Sequence, residues 1–232
     1  MTDWQTLIDA CWPAENVLRQ GPWTIRVTHG AGSRVSAISG DVPAAISEAE
    51  AATRAAGQAP NFILWPEQTA MDDALARRGY GVEDSVTIWW HPVAPLTTAP
   101  MPYATAFTIW PPLQIMRDLW QEGQISAARQ AVMARAANPA GILARVNDRA
   151  AGAGFVAAHG DTAMLSAIEV SPKHRRKGVA GNILRAAAHW AKDQGCSRIA
   201  LIAADTNVAA HKTYASHGMQ AVAGYHYRRL PE

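Results

Sequence analysis

Cysteine is nearly absent from this sequence: only Cys11 and Cys196 occur in 232 residues. Two isolated cysteines offer neither a disulfide framework nor the paired spacing of a zinc site, so no metal is expected. Both read instead as small buried hydrophobes. Charge is sparse as well. Charged residues make up 17% of the chain and the net charge is +2, which argues against binding nucleic acid or a membrane surface through overall charge. No apolar run approaches the length needed to cross a bilayer. The opening Met1-Thr2-Asp3-Trp4 has no basic cluster followed by an apolar stretch, so no signal peptide is expected and the protein reads as soluble and cytoplasmic.

What the chain does have is apolar material, 49% of its residues, ample for one large core or two small ones. The clearest boundary is 91–102, where four prolines, Pro92, Pro95, Pro100 and Pro102, predict an extended linker. This gives an N-terminal domain over 1–91, a linker over 92–102 and a C-terminal domain over 103–232. Alternation and turn residues predict strands over 23–29, 34–38, 62–65 and 85–90, with helices over 46–56 and 70–78. Beyond the linker they predict strands over 104–109, 141–146, 154–158, 164–170, 198–203 and 221–229. Helices are expected over 112–120, 126–136, 179–194 and 207–217. Val179, Ile183, Ala187, Trp190 and Ala191 form one stripe of the longest helix. The result is an α/β (α+β) sheet, mixed but mostly antiparallel, with helices on both faces. The halves share an element order: counted back from Gly79 and Gly218, Gln68 falls opposite Asn207 and Leu75 opposite Tyr214. That agreement predicts a degenerate internal repeat.

The segment with most chemistry is Val170-Ser171-Pro172-Lys173-His174-Arg175-Arg176-Lys177-Gly178-Val179-Ala180-Gly181-Asn182. It leaves a strand and opens the longest helix, whose first N–H groups and dipole form an anion site. Cations at a helix start oppose that dipole unless an anion lies among them, and Gly178, Ala180 and Gly181 leave the backbone approachable. The charge run alone reads equally well as a solvated basic turn. The segment fits neither a P-loop nor the dinucleotide fingerprint.

These residues resemble the GNAT superfamily of N-acetyltransferases. The family's Arg/Gln-x-x-Gly-x-Gly/Ala is matched by Arg175-x-x-Gly178-x-Ala180. Leu165-x-x-Ile168-x-Val170-x-Pro172 resembles the strand entering that loop. A second match follows in the stretch from Asn207 through Ala210, Tyr214 and Gly218 to Met219, with Met219 replacing the usual Phe. The resemblance implies splayed central strands and acetyl-CoA as cosubstrate. It implies that the backbone of Ile168, Glu169 and Val170 holds the pantetheine and aims an N–H at the thioester carbonyl. Arg175, Arg176, Lys177, Gly178, Val179, Ala180 and Gly181 would hold the pyrophosphate, and Asn207 would steady the coenzyme. Tyr214, near the sulfur, would be the general acid for a leaving thiolate. Read by itself, outside the matched segment, Tyr214 is a packed aromatic.

The general base stays open among Glu169, Asp118, Glu122, His226 and a water chain, since alternation places Glu169 on the opposite face from Ile168 and Val170. The N-terminal half lacks the cradle: Ser39-Gly40-Asp41-Val42-Pro43 has no basic residue. The expected activity is acetyl transfer to the amine of a small molecule, peptide or protein. A non-catalytic acyl-CoA-binding regulator on the same fold and a polyanion-binding module are the alternatives. The resemblance leaves the acceptor open, because acceptor pockets vary across the superfamily.

Overall fold

Hydrophobic spacing decides most elements of the computed structural model, which describes residues 2–231. Met1 and Glu232, the outer ends of the two expected domains, lie outside the described residues. In chain order the elements begin with α1 (Trp4–Cys11), β1 (Asn16–Gln20), β2 (Trp23–Val27), β3 (Ile38–Ser39), α2 (Ile46–Ala55) and β4 (Asn61–Leu64). There follow α3 (Thr69–Arg77), β5 (Gly81–Pro92), α4 (Val93–Leu96), β6 (Ala106–Ile109), α5 (Gln114–Glu122) and α6 (Ala127–Met133). The last are β7 (Pro139–Val146), β8 (Arg149–His159), β9 (Thr162–Val170), α7 (Val179–Asp193), β10 (Arg198–Ala204), α8 (Val208–Ser216) and β11 (Gln220–Arg229). Among the described residues no helix is long and apolar enough to cross a membrane.

Two expected elements fail and two unexpected ones are present. The stretch 34–38 is mostly a 3-10 turn, Ser33–Val35, because Gly32 enters it at φ 90° and directs the chain out of extended geometry. Helix α1 and strand β1 are additions. Every residue of β1 is exposed, so it carries no alternating signal. Finally, 91–102 is not an extended linker: β5 runs through Pro92, and Val93–Leu96 forms one helical turn with Val93 buried. Pro95 is tolerated there because first-turn N–H groups have no intrahelical acceptor.

The chain divides into two compact units that are not sequential. The larger takes residues up to Pro13, Ile88–Ala203 and Asn207–Val222. The smaller takes Ala14–Thr87, Ala204–Thr206 and Ala223 onward. The expected cut at 91 and 103 is displaced because β5 is one continuous strand that crosses from the smaller unit into the larger.

Within the larger unit β6, β7, β8 and β9 are successively antiparallel, and β10 is parallel to β9. Helix α7 covers one face. Its Val179, Ile183, Leu184, Ala187 and Ala191 are buried with Val156, Leu165 and Leu201. Removing the Ile183 side chain from such a site costs roughly 2–5 kcal/mol. The other face receives α1 and α5: Phe155, next to Val156 and so oppositely directed, meets Trp12 edge-on at 5.8 Å. Within the smaller unit β1, β2 and β3 are antiparallel neighbours, β4 is parallel to β3, and the end of β11 pairs antiparallel with β4. Trp23, Ile25, Phe62, Leu64 and Leu75 are buried there.

Candidate active site

Strands β9 and β10 pair only from Thr162–Leu165 against Arg198–Leu201. β9 then runs on to Val170 and β10 to Ala204 without that ladder. At the same point β9 bulges against β8. Ser166 faces Phe155 and Glu169 faces Ala153, so Ala167 and Ile168 together oppose Gly154. Ala167 adopts φ 51°, a left-handed conformation that costs an L-residue roughly 1–2 kcal/mol. Helix α5 grips this segment twice. The buried Trp120 indole donates from Nε1 to the Ala167 carbonyl at 2.9 Å. One turn later, a Cβ at Gly123 would fall on the Glu169 carboxyl. Ile168 and Val170 pack against the α7 core, so the alternation expected for Glu169 holds on either side of it.

Glu169 is largely buried, and desolvation raises its pKa. Arg175 lies 3.8 Å away and opposes the rise; Glu122 adds to it. Arg175 also donates from Nε to the Val170 carbonyl at 3.3 Å. Its side chain thus meets β9 at two points, Glu169 and Val170.

After β9 the chain makes a 3-10 turn at Pro172–His174. It then passes Arg176 at φ 59° and Gly178 at φ 76°, and opens α7 with Gly178 as N-cap. No side chain caps this helix, so its first N–H groups face the loop. Arg176, Lys177 and Gly178 are exposed while Val179 is buried. Ala180 is half-buried. Gly181 is buried, with the His217 ring where its Cβ would be. That contact sets the end of α8 against the start of α7.

Tyr214 lies on α8 and is buried; its pKa is pushed up to about 12 by desolvation. The Trp89 ring lies 6.1 Å from it, and Trp89 Nε1 donates to His211 Nδ1 at 3.0 Å. Asn207 is the N-cap of α8 and accepts from the Ala210 N–H at 3.1 Å. Its carboxamide oxygen thus caps the helix.

The other base candidates separate. Asp118 is exposed and accepts from Gln114 at 2.7 Å. Glu122 is exposed beside Glu169. His226 belongs to the smaller unit, where it and Arg228 hold Asp72, whose pKa falls to about 2 chiefly through the Arg228 hydrogen bonds. The sequence assigns no site role to Trp120 or Gly123, and Trp89 reads there as a core or interface residue. Met116, Leu119, Trp120 and Gly123 share one helical stripe, which signals a buried face but not the carbonyl that the indole meets.

In the smaller unit Gln68 stands at the N-cap of α3, as Asn207 does in α8, and Leu75 is buried as Tyr214 is. The chain around Gly40 is filled in: Trp23 occupies the space a Cβ would take, and Gln68 donates to the Gly40 carbonyl at 3.0 Å.

The sequence profile of the Acetyltransferase (GNAT) family matches residues 104–219, half of the chain. An aminoglycoside N(6')-acetyltransferase type 1 from Klebsiella aerogenes is 28% identical over 133 residues, covering 51% of this chain and 88% of that protein. The chain spans about a quarter and two fifths of the first two curated relatives it matches, 26% and 39%. Among solved structures, a GCN5-related N-acetyltransferase from Kribbella flavida superposes with TM-score 0.76 at 14% identity, over 99% of this chain and 95% of the other. A tandem GNAT protein from the clavulanic acid biosynthesis pathway gives TM-score 0.63 at 14% identity, over 98% and 87%. These likenesses concern the fold.

Proposed function

Because the chain belongs to the acetyltransferase (GNAT) family, we propose that it transfers the acetyl group of acetyl-CoA to a primary amine by direct attack in a ternary complex. The observation that carries this is the splay of β9 from β10, opening beside an uncapped helix N-terminus at Gly178. One edge of β9 is free to hydrogen-bond an amide-bearing arm, and the helix start suits a pyrophosphate. Backbone N–H groups of Val179, Ala180 and Gly181 would hold the phosphates, with charge from Arg176 and Lys177. Ile168 to Val170 would hold the arm, and the Asn207 amide would steady it.

In the reaction the amine nitrogen attacks the thioester carbon; the C–N bond forms and the C–S bond breaks. Glu169 accepts the amine proton, and its raised pKa brings it nearer to that task. Tyr214 donates its hydroxyl proton to the departing thiolate. The dryness that lifts the phenol also disfavours a thiolate beside it, so the two proton affinities rise together. The smaller unit is read as a degenerate GNAT-like half without a coenzyme site, since Trp23 and Gln68 fill the ground around Gly40 and Leu75 has no acidic proton to donate. The aminoglycoside relative favours amine-rich acceptors, with Glu122 and Glu169 as counter-charges.

A panel of amines and aminoglycosides with acetyl-CoA, read by free-thiol release and product mass, tests the reading. Acetylated amine is expected. Tight acetyl-CoA binding with no transfer across the panel would instead indicate a non-catalytic acyl-CoA sensor.

A further inference from the structure

Besides its ladder with β8, the bulge of β9 is held by the Trp120 indole N–H on the Ala167 carbonyl at 2.9 Å. A fully buried tryptophan must place its N–H somewhere, because an unpaired donor in a dry core is costly. Here it is placed on the one residue of β9 with a left-handed backbone, Ala167 at φ 51°. The consequence lies in the same peptide unit. The bond between Ala167 and Ile168 is trans, as the one cis bond among the described residues is Trp110–Pro111. In a trans peptide the N–H points opposite to the C=O. Fixing the Ala167 carbonyl on Trp120 therefore turns the Ile168 N–H away from the indole, in the part of β9 that has parted from β10.

Resting on the acetyl-transfer reading above, we propose that Trp120 is a positioning residue for the reaction. It orients the bulge peptide so that the Ile168 N–H is set, before substrate arrives, as the donor to the thioester carbonyl. A donor fixed in advance costs no reorganisation when negative charge develops on that oxygen. Trp120 touches no reacting atom; it acts through Ala167 and Ile168. Gly123 reinforces the arrangement, since its missing side chain lets the end of α5 close against Glu169 on the same strand. One stripe of α5 thereby sets both the hydrogen-bond donor and the carboxylate.

The test replaces Trp120 with its benzothiophene isostere, which keeps ring shape and volume and substitutes sulfur for the N–H; Trp120→Phe is the encoded companion. Acetyl-CoA labelled with carbon-13 at the carbonyl is bound to the full chain, and the carbonyl stretch is read by difference infrared spectroscopy. The parent is expected to shift the stretch to lower frequency than in water. The isostere should bind acetyl-CoA within about threefold of the parent yet lose most of that shift. Its turnover should fall about 10–100-fold, toward the effect of losing one oxyanion donor. A core-packing role alone would leave the carbonyl frequency of the isostere at the parent's value, and that result overturns the proposal. A parent that fails to bind acetyl-CoA overturns the acetyl-transfer reading itself. A parent that binds and polarises the carbonyl while the isostere does so equally overturns only the role of Trp120.

Discussion

Tyr214 combines two demands that usually conflict, a packed ring and an available proton. Its burial lifts the phenol from about 10 to about 12, so folding favours the protonated form. That contribution to stability is complete below the unfolded value of about 10 and is lost as pH rises through about 12. As the proposed general acid, the phenol would stay protonated up to about pH 10, and no alkaline limb below that should arise from it. Tyr214→Phe removes only the hydroxyl. Turnover is expected to fall by about 10²–10⁴-fold while acetyl-CoA affinity stays within a few-fold. That is the signature of a contact made only in the transition state. Turnover equal to the parent's, with chemistry rate-limiting, would leave Tyr214 a packed aromatic. The places of Tyr214 on α8 and of Gly178 at the start of α7 were legible because each sits in a spaced local pattern. Trp120 was not, because its hydrogen bond reaches a carbonyl 47 positions away that no spacing reveals. Asn207 was half legible: its position held, but its oxygen caps α8.

At the scale of elements, the loop and the start of α7 depend on two left-handed residues. Gly178 at φ 76° has no protein atom within 4 Å of where a Cβ would stand. Gly178→Val therefore meets backbone strain, roughly 1–2 kcal/mol, and no internal clash. Loss of acetyl-CoA binding beyond what that strain explains, in a variant still folded by circular dichroism, would locate the phosphates at this backbone. Arg176→Ala is expected to weaken binding by roughly 1–3 kcal/mol, the worth of a charge-assisted contact. Unchanged affinity in both variants would move the pyrophosphate elsewhere. The long helix α7 and strands β9 and β10 were read closely from periodicity, since their apolar faces are wide. The fully exposed β1 was not, and the prolines of 91–102 misled because Pro95 lies in a first helical turn, where it does no harm.

At the scale of the molecule, the family fold was legible from two motifs, whereas the partition of the chain was not. A linear reading assigns 1–91 to one body; the structure gives α1 to the larger unit. There Leu7, Ile8, Cys11 and Trp12 are buried, and the Cys11 thiol donates to the Ala157 carbonyl at 3.4 Å. Deleting the residues up to Pro13 exposes that face of β8, at a cost on the order of 5 kcal/mol from the apolar side chains alone. The truncated chain is expected to melt far below the parent or fail to fold, and a melting temperature unchanged by the deletion would contradict this partition. The central claim, that the larger unit cradles acetyl-CoA between the splayed strands and the start of α7, is tested most directly by amide NMR. The full chain, labelled with nitrogen-15, is titrated with acetyl-CoA. The largest shifts are expected at the amides of Ile168, Val170 and Gly178 to Gly181, with those around Gly40 unmoved. Saturable shifts confined to other residues, or none at millimolar acetyl-CoA, would contradict the account.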